Sequence, residues 1–134
     1  FGGLSGVVME DGRTALAISD KGDWWRIKLS IEQGRLKGVE SVSTAPLLSY
    51  KGVKPPPGAR NAEGLARDPK TGKLWVSFEI YHRIWFYDAP GTAAKGRLHE
   101  DSWDAFEANA GLQALARVND GRLWSIRAWW PASG

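Results

Sequence analysis

Short apolar runs broken by glycine and aspartate set the pattern of this chain, and three stretches of that pattern align with one another. They are GLSGVVMEDGRTALAISD (3–20), AEGLARDPKTGKLWVSFE (62–79) and GLQALARVNDGRLWSIRA (111–128). Each opens on a polar residue, a small residue and an aliphatic: Ser5-Gly6-Val7, Glu63-Gly64-Leu65 and Gln113-Ala114-Leu115. Each reaches a glycine-centred turn (Asp11-Gly12, Thr71-Gly72, Asp120-Gly121) and then a second apolar run that ends at Asp20, Glu79 or Ala128. Apolar runs on both sides of such a turn predict β-hairpins, and the two Asp-Gly pairs suit the left-handed backbone of tight hairpins. WWRIKL (24–29) and RIWFYD (83–88), rich in β-branched and aromatic residues, read as third strands. Residues 35–43 fit a fourth strand, and the corresponding stretch around 97–107 fits either a strand or a helical turn.

The repeat sets the expected architecture. Its starts are 58 and 50 residues apart, a blade length for a β-propeller with long loops. The expectation is an all-β fold in which 1–134 is a single propeller-like segment of antiparallel strands. Its units run approximately 1–54, 55–108 and 109–134, about two and a half blades, where a complete propeller has about 4–8. A small twisted β-sandwich is the competing architecture. An open set of blades leaves apolar faces and a strand edge uncovered, so the chain is expected to self-associate or to be part of a longer propeller.

Composition narrows this picture only slightly. Hydrophobic content of 43% and charged content of 25% are ordinary for a globular protein, whereas 8 tryptophans and 16 glycines favour many short strands and tight turns. A net charge of +3 without a Lys/Arg block gives no nucleic-acid arm. No apolar run approaches the ~20 residues of a membrane span. The absence of cysteine excludes disulfides and thiolate metal sites. The chain opens on Phe1-Gly2-Gly3 without a signal-peptide pattern, as a processed protein or a fragment would.

The aligned residues carry a resemblance. GGLSG with AISDKGDW, AEGLARDP with GKLWVSFE and RIWFYD, and GLQALA with DGRLWSI are similar to the phytase-like β-propeller family described as having esterase-like activity. More distantly, Glu63-Gly64-Leu65, Glu79 and Ile84-Trp85 resemble the calcium-dependent β-propeller phytases. The resemblance implies a six-bladed propeller whose central opening holds calcium through carboxylates, beside basic groups that receive phosphate. It implies Glu63 and Glu79 as calcium ligands, with Asp20 as a further candidate because it holds the position of Glu79 in the first unit. It also implies a phosphorylated small-molecule substrate and a periplasmic or secreted location. The third unit departs from the pattern, with Gln113 and Ala128 where acids are expected.

Physical chemistry poses the same question independently. Folding the middle hairpin at Pro69-Lys70-Thr71-Gly72 sets Glu63 beside Glu79, and like charges directly opposite each other are destabilising. Calcium takes 6–8 oxygen ligands and removes that repulsion. Ser5 and Gln113 are the neutral oxygens expected on the same rim. The alternative is an ion cluster with Arg60, Arg67 or Arg83. For phosphate, the rim cations are Lys21, Arg60 and above all Arg83, which stands four residues after Glu79.

Other chemistry is not signalled. His82 and His99 lack metal-ligand spacing and read as loop residues. Gly3-Leu4-Ser5-Gly6 is not a nucleophile elbow, and DPKTGK is not a P-loop. The tryptophans in or beside strands read as packing between blades, and Trp129-Trp130 as a surface for a ring or another chain. Two functions stay open: a calcium-binding, phytase-like propeller with phosphoester hydrolase activity, and a non-catalytic binding propeller that has lost the chemistry.

Overall fold

The computed structural model describes residues 3–105 and 111–127. The fold is all-β, with strands β1 (Leu4–Met9), β2 (Thr14–Ser19), β3 (Asp23–Glu32), β4 (Arg35–Pro46), β5 (Ala62–Arg67), β6 (Leu74–Phe78), β7 (Arg83–Tyr87), β8 (Gly96–Leu98), β9 (Leu112–Arg117) and β10 (Leu123–Arg127). They form three antiparallel sheets in sequence order: β1-β2-β3-β4, β5-β6-β7-β8 and β9-β10. Three successive sheets replace the two layers of a sandwich. No ring closes among the described residues.

Turn chemistry explains the hairpins, with one change from expectation. Gly72 and Gly121 adopt φ of 76° and 93°, the left-handed backbone that glycine supplies without steric cost. Gly12 does not. There the Asp11 carboxylate accepts the N–H groups of Arg13 and Thr14, both at 2.7 Å, and builds the turn from its side chain. The β3–β4 hairpin is longer than the sequence suggests because Gln33 and Gly34 both take positive φ (52° and 74°) between the paired residues Glu32 and Arg35. Such a two-residue turn matches the twist of the flanking strands and lets pairing continue to the tip. In the ambiguous 97–107 region, β8 is followed by a 3-10 turn at Asp101–Ala105, and residues 106–107 lie outside the described set.

Burial follows position within each sheet. The second strands of the two four-stranded sheets are buried on both faces, in Ala15, Leu16, Ala17 and Ile18 of β2 and from Leu74 to Phe78 of β6. That is why they read as continuous apolar runs. The main core lies between the first two sheets and contains Leu16, Ile18, Trp24, Leu65, Val76, Phe78, Trp85 and Tyr87. Trp24 meets Tyr87 edge-on, with centroids 5.3 Å apart. A second cluster of Ala66, Trp75, Ile84 and Leu112, joined by Leu115 and Leu123, packs the third sheet on the far side of the middle one.

The first strands are neighbours, β1 against β5 and β5 against β9, and glycine allows the approach. A Cβ on Gly64 would lie 3.0 Å from the Leu115 nitrogen, and one on Gly6 would lie 3.0 Å from that of Leu65. The small residues Gly6 and Gly64 of the first two repeat markers are therefore a packing requirement between sheets. The outer faces of the first and third sheets remain open, with Val7 64% and Trp124 57% exposed. Trp129 and Trp130 lie outside the described residues.

Candidate carboxylate site

The polar residue of each repeat marker is the extra residue of a β-bulge. Pairing jumps from Leu4↔Ser19 to Gly6↔Ile18 across Ser5, and from Ala62↔Phe78 to Gly64↔Ser77 across Glu63. It jumps again from Leu112↔Arg127 to Ala114↔Ile126 across Gln113. A bulge leaves its residue unpaired and re-aims the side chain, so three sheets present three polar side chains from equivalent positions.

Asp20 and Glu79 are equivalent in the same way. The Asp20 N–H donates to Gly3 O at 3.1 Å, and the Glu79 N–H donates to Asn61 O at 2.9 Å. Each acid thus stands one residue past its strand, tied back to the start of the neighbouring strand. Ala128, the third counterpart, lies outside the described residues.

Glu79 is buried, 6% exposed. Asn61 Nδ2 donates to one of its oxygens at 3.0 Å, and the Gln113 amide nitrogen donates to the other. Two neutral donors from two sheets therefore hold this carboxylate. Glu63 is half-buried, and its carboxyl is pushed up to about 7, first by desolvation and then by the negative charges of Glu79 and Asp20. Among the described residues no arginine or lysine forms an ion pair with Glu63, Glu79 or Asp20.

The cations expected on the rim are used elsewhere or exposed. Arg60 Nε donates to Pro55 O at 2.5 Å. Arg83 is buried, 6% exposed, with its guanidinium carbon 4.1 Å from the Phe78 ring centroid and 4.3 Å from that of Trp85. Its terminal nitrogens donate to Tyr81 O and Ala59 O, and burial lowers its pKa to about 10. Lys21 is exposed. The alternative of an ion cluster with Arg60, Arg67 or Arg83 does not form among the described residues. Ser5 Oγ donates to Ala62 O, joining the first sheet to the second next to Glu63.

Among the described residues no group of three or more His, Asp or Glu side chains could hold a metal ion by itself. The acidic side chains here, Glu63 and Glu79, offer only hard carboxylate oxygens. Oxygens of that kind fit calcium better than softer metals.

Three residues here escape a reading of the sequence. Asn61 stands two residues before Glu63 and carries no motif, although it is one of the two residues that orient Glu79. Ser77, fully buried, accepts the Gly64 N–H at 2.9 Å and donates to Leu112 O at 2.9 Å, tying the middle sheet to the third. Ile80 follows Glu79 with φ of 69°, and the Tyr81 N–H bonds back to Glu79 O at 2.8 Å. A β-branched residue in this region is a steric outlier, and such strain clusters at functional sites. His82 is in a loop, as expected, but is buried against Gly111, where a Cβ would come within 2.1 Å of its ring.

No curated protein matches the chain. Residues 1–128 match the family model described as "Phytase-like: Esterase-like activity of phytase". Nearly the whole chain is covered, including all three bulged repeats, and the chain belongs to the phytase-like family.

Proposed function

We propose that this phytase-like domain binds calcium through Glu63 and Glu79, with Asp20 adding negative charge from the neighbouring sheet. The observation that carries the reading is a buried carboxylate beside a half-buried one with no arginine or lysine paired to either among the described residues. Carboxylates placed in this way are costly unless protonated or balanced by a cation. When bound, calcium would supply the charge that polarises a phosphoryl group and lowers the pKa of a water. The chain's own contribution is to fix Glu79 with Asn61 and Gln113 and to re-aim Glu63 through its bulge. Calcium that binds the native state alone raises the melting temperature, and Glu79→Gln removes most of that rise. Identical melting curves in calcium and in chelator refute the reading.

The commitment of Arg83 and Arg60 to backbone carbonyls favours a second reading, a domain that binds the cation without turning over phosphate. Phosphoester hydrolysis that is abolished by chelation and by Glu79→Gln distinguishes the hydrolase. Calcium-dependent stability without hydrolysis supports the binding module. Robust phytate turnover insensitive to chelator would overturn both.

A further inference from the structure

A groove of about 420 Å³ lies between the linker that leaves the first sheet and the outer edge of the second, lined by Tyr50, Trp85, Ala94, Lys95, Gly96 and Arg97. It includes none of Glu63, Glu79 and Asp20, and touches the rim residues described above only through Trp85, which packs on Arg83. Its volume falls in the ~300–1,000 Å³ range of small-molecule sites.

The walls are held by hydrogen bonds to backbone carbonyls rather than by the groove's own side chains. Ser49 accepts the Ala94 N–H at 3.2 Å, and its N–H donates to Val53 O at 2.9 Å. Tyr87 Oη donates to Leu48 O at 2.9 Å, and the Lys95 N–H donates to Phe86 O at 2.8 Å. The turn that carries Tyr50 is thus docked on β7 and on the β7–β8 loop, and Tyr50 still leaves 63% of its surface open to solvent. Trp85 provides a second, buried aromatic wall. Register places Arg97 directly opposite Trp85 on the same sheet face.

The charges around these rings have one sign. Lys95 and Arg97 line the groove, Lys51 Nζ sits 5.9 Å from the Tyr50 ring centroid, and no carboxylate is among the lining residues. The nearest acidic pairing is the exposed Asp88–Lys95 contact at 3.6 Å, which solvent screens. Two aromatic surfaces favour a flat ring, and the cations at the rim favour a negative substituent on it.

We infer that this groove binds a planar aromatic anion, with Tyr50 and Trp85 against the ring and Arg97 and Lys95 on the charge. The inference is independent of calcium. The probe is naphthalene-2-carboxylate, titrated calorimetrically into the whole chain at low ionic strength. The expected result is saturable binding that falls about tenfold or more in Tyr50→Ala and in Arg97→Ser, and is unchanged in Glu79→Gln. The uncharged naphthalene-2-ol should bind about tenfold more weakly or worse. Tyr50 and Arg97 are exposed, so both variants should keep the wild-type circular dichroism spectrum. Absence of saturable binding overturns the inference. So does undiminished binding by Tyr50→Ala or Arg97→Ser, or equal binding of the neutral alcohol.

Discussion

Glu63 does not face Glu79 across the hairpin: Glu63 is the unpaired residue of a bulge, and Glu79 lies one residue past the strand, bonded through its N–H to Asn61. The two carboxyls still interact strongly enough that the Glu79 charge helps hold the proton on Glu63. The offset relieves direct opposition and leaves a charge that a proton on Glu63 balances and that, under the proposed function, a cation would balance instead.

The proton side of that balance gives a pH dependence in calcium-free protein. Folding raises the Glu63 carboxyl from an ordinary 4.5 to about 7. The folded state holds this proton more tightly, so the contribution is fully present below pH 4.5 and is lost as pH rises through about 7. Discounted for the half-exposed position, the loss is about 1 kcal/mol, a few degrees of melting temperature. In chelator the melting temperature should therefore fall between pH 5 and pH 7.5, and Glu63→Gln should flatten that fall. A pH profile identical in wild type and variant assigns the titration to another group.

Ser77 and Gly64 should control docking of the third hairpin. Ser77→Ala leaves the Gly64 N–H and the Leu112 carbonyl without their partner in a buried position, at a cost of about 2–3 kcal/mol. Gly64→Ala would bring a Cβ to 2.7 Å from Ser77 Oγ and 3.0 Å from the Leu115 nitrogen. Both variants should lose amide protection over Leu112–Arg117 before they lose it in β2. Uniform loss across all three sheets would mean that the hairpin does not open separately.

Strain at Ile80 predicts a stabilising substitution. Ile80→Gly removes the Cβ clash at φ of 69° and gives up the covered part of a side chain that is 40% exposed. The expected gain is about 1 kcal/mol, read as a melting temperature a few degrees higher. A lower melting temperature would show that Ile80 contributes more through packing than its backbone costs.

The open outer faces predict association. Val7 and Met9 on the first sheet, and Trp124 and Ile126 on the third, are exposed large apolar side chains. Burying one such side chain is worth about 1.5–3 kcal/mol. The isolated chain is expected to pair through 3–20 and 111–130, of which 128–130 lie outside the described residues, with the molar mass from light scattering falling on dilution and Trp124→Ser weakening the association. A compact monomer at every concentration would show that these faces do not associate.

The sequence by itself determined the three hairpins, their order and the special role of the residue that opens each one. Those features depend on neighbours a few positions apart. Apolar runs name the strands, Asp120-Gly121 and Thr71-Gly72 name turns, and the match of Ser5, Glu63 and Gln113 marks the repeat. Only the tertiary structure decided what each polar residue does there, because that depends on which sheets meet. Whether Glu63 faces Glu79 or bulges away is a question of register, and a one-residue offset is invisible in composition. Arg83 reads as a rim cation, and only the structure shows Phe78 and Trp85 against its guanidinium and two of its donors given to carbonyls. Asn61, Ser77 and Gln113 act through partners on other strands, and in two of these contacts on another sheet, 13 to 35 residues away. Such partners meet only when nonlocal burial brings the sheets together, and no short-range pattern encodes that meeting.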